Sequence, residues 1–187
     1  MTQTLSTTAS QILGWDMRCE NTTVVVTDSS GKGLGGIIFS LGRDISAENV
    51  EWFCAEFARG PTIQCLLDED TGEMTNICPA ELLAAVIGIS SALKRGAQTI
   101  IALYDNMSSV SCINKRSSRS HTMNRVVDAL NKNCPEAGHI VTAFHVPGNT
   151  NCLADMLSRA DNTDAKKRME SIGRELDVNT ILTELSL

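Results

Sequence analysis

The sequence predicts a mixed α/β domain, in which hairpin strands open a sheet that parallel strands continue, with helices between them. Two observations carry this expectation. A β-branched run, Thr22 to Asp28 (TTVVVTD), is followed across a Ser/Gly turn by a second apolar run, Leu34 to Leu41, which is the pattern of a hairpin. Two further short apolar runs, Thr99 to Tyr104 and Ile140 to Val146, alternate with helix-forming stretches, as strands of a helix-covered sheet do.

The glycines of Ser29 to Gly36 superficially resemble a phosphate-cradling loop, but such a loop must open a helix, and β-branched residues follow here, so a hairpin is expected. Residues 43–60 are expected to form a short helix or a capping insertion that packs Trp52, Phe53 and Phe57 inward. Thr62 to Leu67 reads as a third strand, and Asp70-Thr71-Gly72 as a turn leading toward Met74 to Ile77. Pro79 suits the first turn of a helix running from Glu81 through Leu93 to a stop at Gly96. TIIALY (residues 99–104) is suited to a central parallel strand with Asp105 at its end and a helix from Asn106 through Ile113. A helix over Thr122 to Lys132, a fifth strand over Ile140 to Val146, a Pro147-Gly148-Asn149 turn and a helix over Asn151 to Arg159 complete the pattern. Domain boundaries are expected at 1–20 for an N-terminal extension, 21–160 for the domain and 161–187 for a helical C-terminal tail. That tail spaces Ile172, Leu176, Ile181, Leu182 and Leu185 for amphipathic helices, which dock either on the domain or on a neighbour.

The 187 residues, 42% hydrophobic and 20% charged, can bury one real core and are not a disordered or fibrous composition. No apolar run is long enough to cross a bilayer, and the N-terminus lacks the regions of a signal peptide. Seven cysteines without a close Cys-x-x-Cys pair argue against a disulfide framework and a zinc site. An intracellular setting, cytoplasm or nucleus, is the expectation, with no membrane partner. The net charge of −6 is awkward for a nucleic-acid binder. Its distribution matters more than its sum, because Lys115, Arg116, Arg119, Arg125 and Lys132 cluster with only Asp128 among them.

Four carboxylates occupy telling places: Asp28 on the first strand, Glu81 in the first helix, Asp105 at the end of TIIALY and Asp155 in the helix after the last strand. Each is embedded in apolar sequence, where a charge is costly unless compensated. A hard divalent cation is the natural compensation, and oxygen-only ligands favour Mg2+ or Mn2+ over zinc, with room for two ions. Two metals suit phosphodiester hydrolysis, one lowering the pKa of the attacking water and the other stabilising the departing oxygen. Any one of these acids alone would more often be a helix cap or a surface ion pair; the set of four shifts that balance.

The segments VVVTDSSGKGLGGIIF, CPAELLAAVIGI, IIALYDNMSSVSCINK and FHVPGNTNCLADMLSR resemble, in that order, the four acidic motifs of the ribonuclease H domain that accompanies reverse transcriptases. They run from Val24 to Arg159, about three quarters of the chain, and the last two are most similar to retrotransposons of the gypsy and tyrosine-recombinase (DIRS-like) groups. The resemblance implies a ribonuclease H-like fold with a five-stranded mixed sheet, three antiparallel strands and then two parallel ones. It implies that Asp28, Glu81, Asp105 and Asp155 are the catalytic metal ligands, for two Mg2+ or Mn2+ ions. It implies an endonuclease that hydrolyses the RNA strand of an RNA–DNA hybrid during reverse transcription, with a reverse transcriptase or polyprotein neighbour as a further partner. The family's loop histidine is replaced here by Asn149, while His145 is expected to pack on the strand.

Asn151 stands one helical turn before Asp155, where it either orients that carboxylate, touches the nucleic-acid backbone, or caps the helix. Asn106 has the same two roles open to it, nucleic-acid contact or cap. The basic set from Lys115 to Lys132 reads as a hybrid-binding surface or as a solvated helix face, and Arg159 as a ligand for a phosphate or for the tail. Among related chemistries, proofreading exonucleases place an acid two residues beyond the first Asp, where this chain has Ser30, and integrases end on Glu, where this chain has Asp155. The remaining rival is a catalytically inactive ribonuclease H-like module that binds nucleic acid or protein in a larger assembly. The intact acidic set favours activity, since clustered carboxylates repel one another when no metal is bound.

Overall fold

A computed structural model describes residues 21–43, 46, 48–57, 66, 76–159 and 162–187. Among them one sheet runs in the order β5-β4-β1-β2-β3-β6. The hairpin expected from the first two apolar runs forms: β1 (Thr22–Ser29) pairs antiparallel with β2 (Gly33–Ser40), Asp28 facing Gly35. β1 also pairs parallel with β4 (Thr99–Tyr104), and β4 with β5 (Val141–His145). β1 is thus a central strand, and Val24 and Val25, on opposite faces, are both fully buried, as a strand covered on two sides requires.

One face is covered by α1 (Cys78–Lys94), which is buried from Pro79 through Ala92. A helix apolar all round belongs in an interior, and α1 lies between the sheet and helices α2 (Met107–Lys115) and α3 (His121–Asn133). Gly88 lets it approach closely, since a Cβ there would stand 2.5 Å from Val25 Cγ1. A short α4 (Ala137–Ile140) leads into β5. The other face carries α5 (Cys152–Ser158) over β1 and β2. A Cβ on Gly35 would lie 2.3 Å from the Ser158 amide nitrogen and 2.5 Å from the Leu157 carbonyl carbon. Both are backbone atoms with no rotamer to retreat into, so Gly35→Ala is expected to lift α5 and lower stability by about 1–3 kcal/mol, read from denaturant melts.

Residues 43–60 correct the expectation of a helix or cap. Val50–Glu56 is strand β3, antiparallel to β2 with Phe53 opposite Gly36. Trp52 packs in the cluster beneath α5 and Phe53 in the main core beneath α1, an alternation that a strand achieves and a helix does not. Glu51 shares the face of Phe53 and is buried, where it accepts from Ser91 Oγ at 2.6 Å and pairs with Arg95 and Arg174. The strand expected over Thr62 to Leu67 and the turn at residues 70–72 lie outside the described residues, except for Leu66, which is buried in the main core.

The C-terminal segment docks on its own domain. α6 (Thr163–Glu170) puts Ala165 and Met169 against Trp52, whose indole N–H donates to the Gly173 carbonyl at 3.3 Å. β6 (Arg174–Glu175) pairs parallel with β3, so the sheet has six strands rather than the expected five. α7 (Val178–Leu185) delivers Val178, Ile181, Leu182 and Leu185 to the main core, and Lys94 pairs with Glu184. No helix among the described residues is long and apolar enough to cross a membrane.

Candidate metal centre

The parallel strands β1 and β4 end at the same edge of the sheet, which brings Asp28 and Asp105 side by side. Glu81, in the first turn of α1, reaches the same place. One carboxylate oxygen from each of Asp28, Glu81 and Asp105 lies within 4.8 Å of the others. Asp28 and Glu81 are buried and Asp105 is half-buried.

This burial dominates the electrostatics. It pushes the Asp28 carboxyl up to about 6, helped by the charges of Asp105 and Asp155 and opposed by a hydrogen bond from Ser158. It pushes Glu81 further, to about 8, with the charges of Asp28 and Asp105 adding and the Ser29 backbone opposing. Three acids this close cannot all ionise cheaply without a positive charge among them. A hard divalent cation meets that demand, and an all-oxygen donor set is what Mg2+ or Mn2+ selects.

Asp155, the fourth predicted ligand, stands outside this group of three. It lies on α5, close enough for its charge to raise Asp28, but its carboxylate is half-exposed and held by Arg159, with Nη2 to Oδ1 at 2.8 Å. Arg159 thus pairs with an acid one helical turn back.

Asn151 makes a bond that its expected roles did not include. It occupies the N-cap position of α5, but its side chain makes no capping bond; Nδ2 donates instead to the Thr27 carbonyl at 3.1 Å, next to Asp28. Its backbone carbonyl accepts from the Asp155 amide at 3.0 Å, and its Oδ1 is buried with no hydrogen-bond partner. Asn149 is exposed in the three-residue 3₁₀ helix Gly148–Thr150. That turn abuts the site, since a Cβ on Gly148 would be 3.1 Å from Asp105 Oδ2. His145 is exposed at the end of β5 rather than packed.

Asn106 caps α2, accepting from the Ser109 amide at 3.1 Å while Nδ2 reaches Cys78 Sγ at 3.4 Å. Of the basic set, Lys115 and Arg119 are exposed and Arg125 is half-buried on α3. Arg116 ends α2 in the left-handed region, φ 57°, with its carbonyl accepting from Asn131 and burial pulling its pKa down. It serves α2 and α3 as much as any ligand. The residue that sequence reasoning passed over is Ser158, whose hydroxyl donates to Asp28 Oδ2 at 2.9 Å; its place three residues after Asp155 on one helix face was the available signal.

A sequence model described as reverse transcriptase-like matches residues 59–160, more than half of the chain. The chain belongs to the reverse transcriptase-like family. Among solved structures, it is similar to RNase H1 from the halophilic archaeon Halobacterium salinarum NRC-1, with a TM-score of 0.50 and 16% identity over 76% of this chain and 96% of that one. It also aligns with the N-terminal RNase H domain of a Mycobacterium tuberculosis protein solved as a fusion with maltose-binding protein, with a TM-score of 0.46 and 17% identity over 73% of this chain and 95% of that one. At 16% identity the likeness to the archaeal RNase H1 concerns the fold alone, which is ribonuclease H-like. Among curated proteins, none matches the chain.

Proposed function

We propose that this reverse transcriptase-like chain is a divalent-metal-dependent ribonuclease H that hydrolyses the RNA strand of RNA–DNA hybrids, in the service of a retroelement's reverse transcription. The observation that carries the reading is the convergence of Asp28, Glu81 and Asp105 within 4.8 Å at one edge of the sheet. These three hold the metal, and Asp155 completes the acidic wall from α5. Bound there, Mg2+ or Mn2+ supplies charge neutralisation at the phosphate and activation of the attacking water. The remaining work falls to the chain's own groups. β1, β4 and α1 present carboxylates from rigid elements, which limits the reorganisation needed when a substrate arrives. The exposed Lys115 and Arg119, with Arg125 nearby in the sequence, offer positive charge for a phosphate backbone that the acidic remainder repels.

The test is cleavage of an end-labelled RNA–DNA hybrid by the full chain in Mg2+ and in Mn2+, alongside duplex DNA and with excess chelator. Cuts confined to the RNA strand, absent in chelator, are expected. Hybrid binding without turnover in either metal would instead identify an inactive binding module.

A further inference from the structure

We propose that Ser158 is a positioning residue for the metal centre, holding the Asp28 carboxylate in the orientation that joins it to Glu81 and Asp105; the inference rests on the metal-binding reading above. Ser158 is fully buried. Its hydroxyl lies 2.9 Å from Asp28 Oδ2 and 2.9 Å from the Asp155 carbonyl oxygen. A serine near a helix end ordinarily satisfies its hydroxyl on a carbonyl one turn back. Here it also reaches a carboxylate, and a bond to an ionised acceptor is the stronger of the two.

The serine is itself fixed from outside its helix. Ser30 Oγ donates to the Ser158 carbonyl at 2.7 Å. Gly33 and Gly35 leave the space that Ser158 fills, since Cβ atoms there would come within 3.2 Å of its oxygen and 2.3 Å of its nitrogen. The opposite end of α5 is tied to the same strand, through Asn151 Nδ2 on the Thr27 carbonyl at 3.1 Å. α5 therefore grips β1 on both sides of one position: the carbonyl just before Asp28, and the Asp28 carboxylate. Turning that carboxylate away from Glu81 and Asp105 breaks the Ser158 bond. Hydrogen bonds that orient a ligand in this way commonly change metal affinity by about 10–100-fold.

The experiment measures Mn2+ and Mg2+ binding to the full chain by calorimetry, with no substrate present, for the wild type, Ser158→Ala and Ser158→Cys. Cysteine keeps the packing and weakens the donor, so it decides the case if alanine does not fold. Thermal melts in chelator establish folding, and hybrid cleavage against metal concentration separates half-saturation from kcat. The expected result is a metal Kd raised about tenfold or more in the folded variants, with half-saturation shifted in parallel and kcat at saturating metal near wild type. Wild-type metal affinity in a folded variant, or failure of both variants to fold, overturns the proposal. A wild-type chain that binds neither metal removes the metal-centre reading itself, a result distinct from unchanged affinity in the variants.

Discussion

Replacing Asp28 or Asp105 with asparagine is expected to lower metal-dependent cleavage of an RNA–DNA hybrid by about a thousandfold or more. Each carboxylate supplies a charge to cations whose stabilisation of a phosphoryl transition state is worth several kcal/mol, and each 1.4 kcal/mol or so is a factor of ten in rate. The substitution is nearly isosteric, so the loss is expected without unfolding. It also removes one negative charge from a crowded site: Asp28 and Glu81 sit with Asp105 inside 4.8 Å. The Asp28→Asn protein in chelator is therefore expected to melt at or above the wild-type temperature. Cleavage rates from gel assays and melting curves from circular dichroism check the two halves together. Near-wild-type cleavage by either variant removes that residue from the site.

The second large effect is a dependence of stability on pH that appears only without metal. In the folded chain Asp28 titrates near 6 rather than 3.8, and Glu81 near 8 rather than 4.5. Between the unfolded and folded values the folded state holds more protons than the unfolded one, so stability falls as pH rises. The fall begins above about pH 4, as the unfolded carboxyls ionise, and is complete above about pH 8, where Glu81 is deprotonated in both states. Metal-free protein is thus expected to lose roughly 10–20 °C in Tm between pH 5 and pH 8.5, since the two carboxyls together cost about 5 kcal/mol over that interval and about 1 kcal/mol corresponds to roughly 2–4 °C for a chain of this size. Millimolar Mg2+ or Mn2+ at pH 8.5 should restore most of it, because a cation that binds only the folded state stabilises it. A Tm that rises over this interval in chelator, or fails to respond to metal at pH 8.5, contradicts the electrostatic account of the site. The Glu81→Gln variant offers a check, since it should flatten the upper part of the curve.

Much of this was legible because local chemistry spoke for it. TIIALY, residues 99–104, became β4 at its expected bounds, since a short apolar run between helices has few other places to go. The Pro79 start of α1 and the Asn106 cap of α2 were likewise readable from residue preferences. β3 was not. Its Glu51 looks like a solvent-facing charge until Ser91, Arg95 and Arg174, distant in the chain, enclose it. β6 has only two residues, too few to show an alternation.

The sequence by itself determined which acids were candidates and the elements on which they stand, because both depend on residue type and local periodicity. Only the tertiary structure decided that Asp28, Glu81 and Asp105 meet while Asp155 turns to Arg159. It alone revealed that Ser158 and Asn151 clamp β1 from both ends of α5. The reason is physical. A hydrogen bond spanning 130 residues of chain is set by how closely a helix can approach a strand, and that approach depends on glycines at positions 33 and 35, whose role becomes visible only when the two surfaces touch.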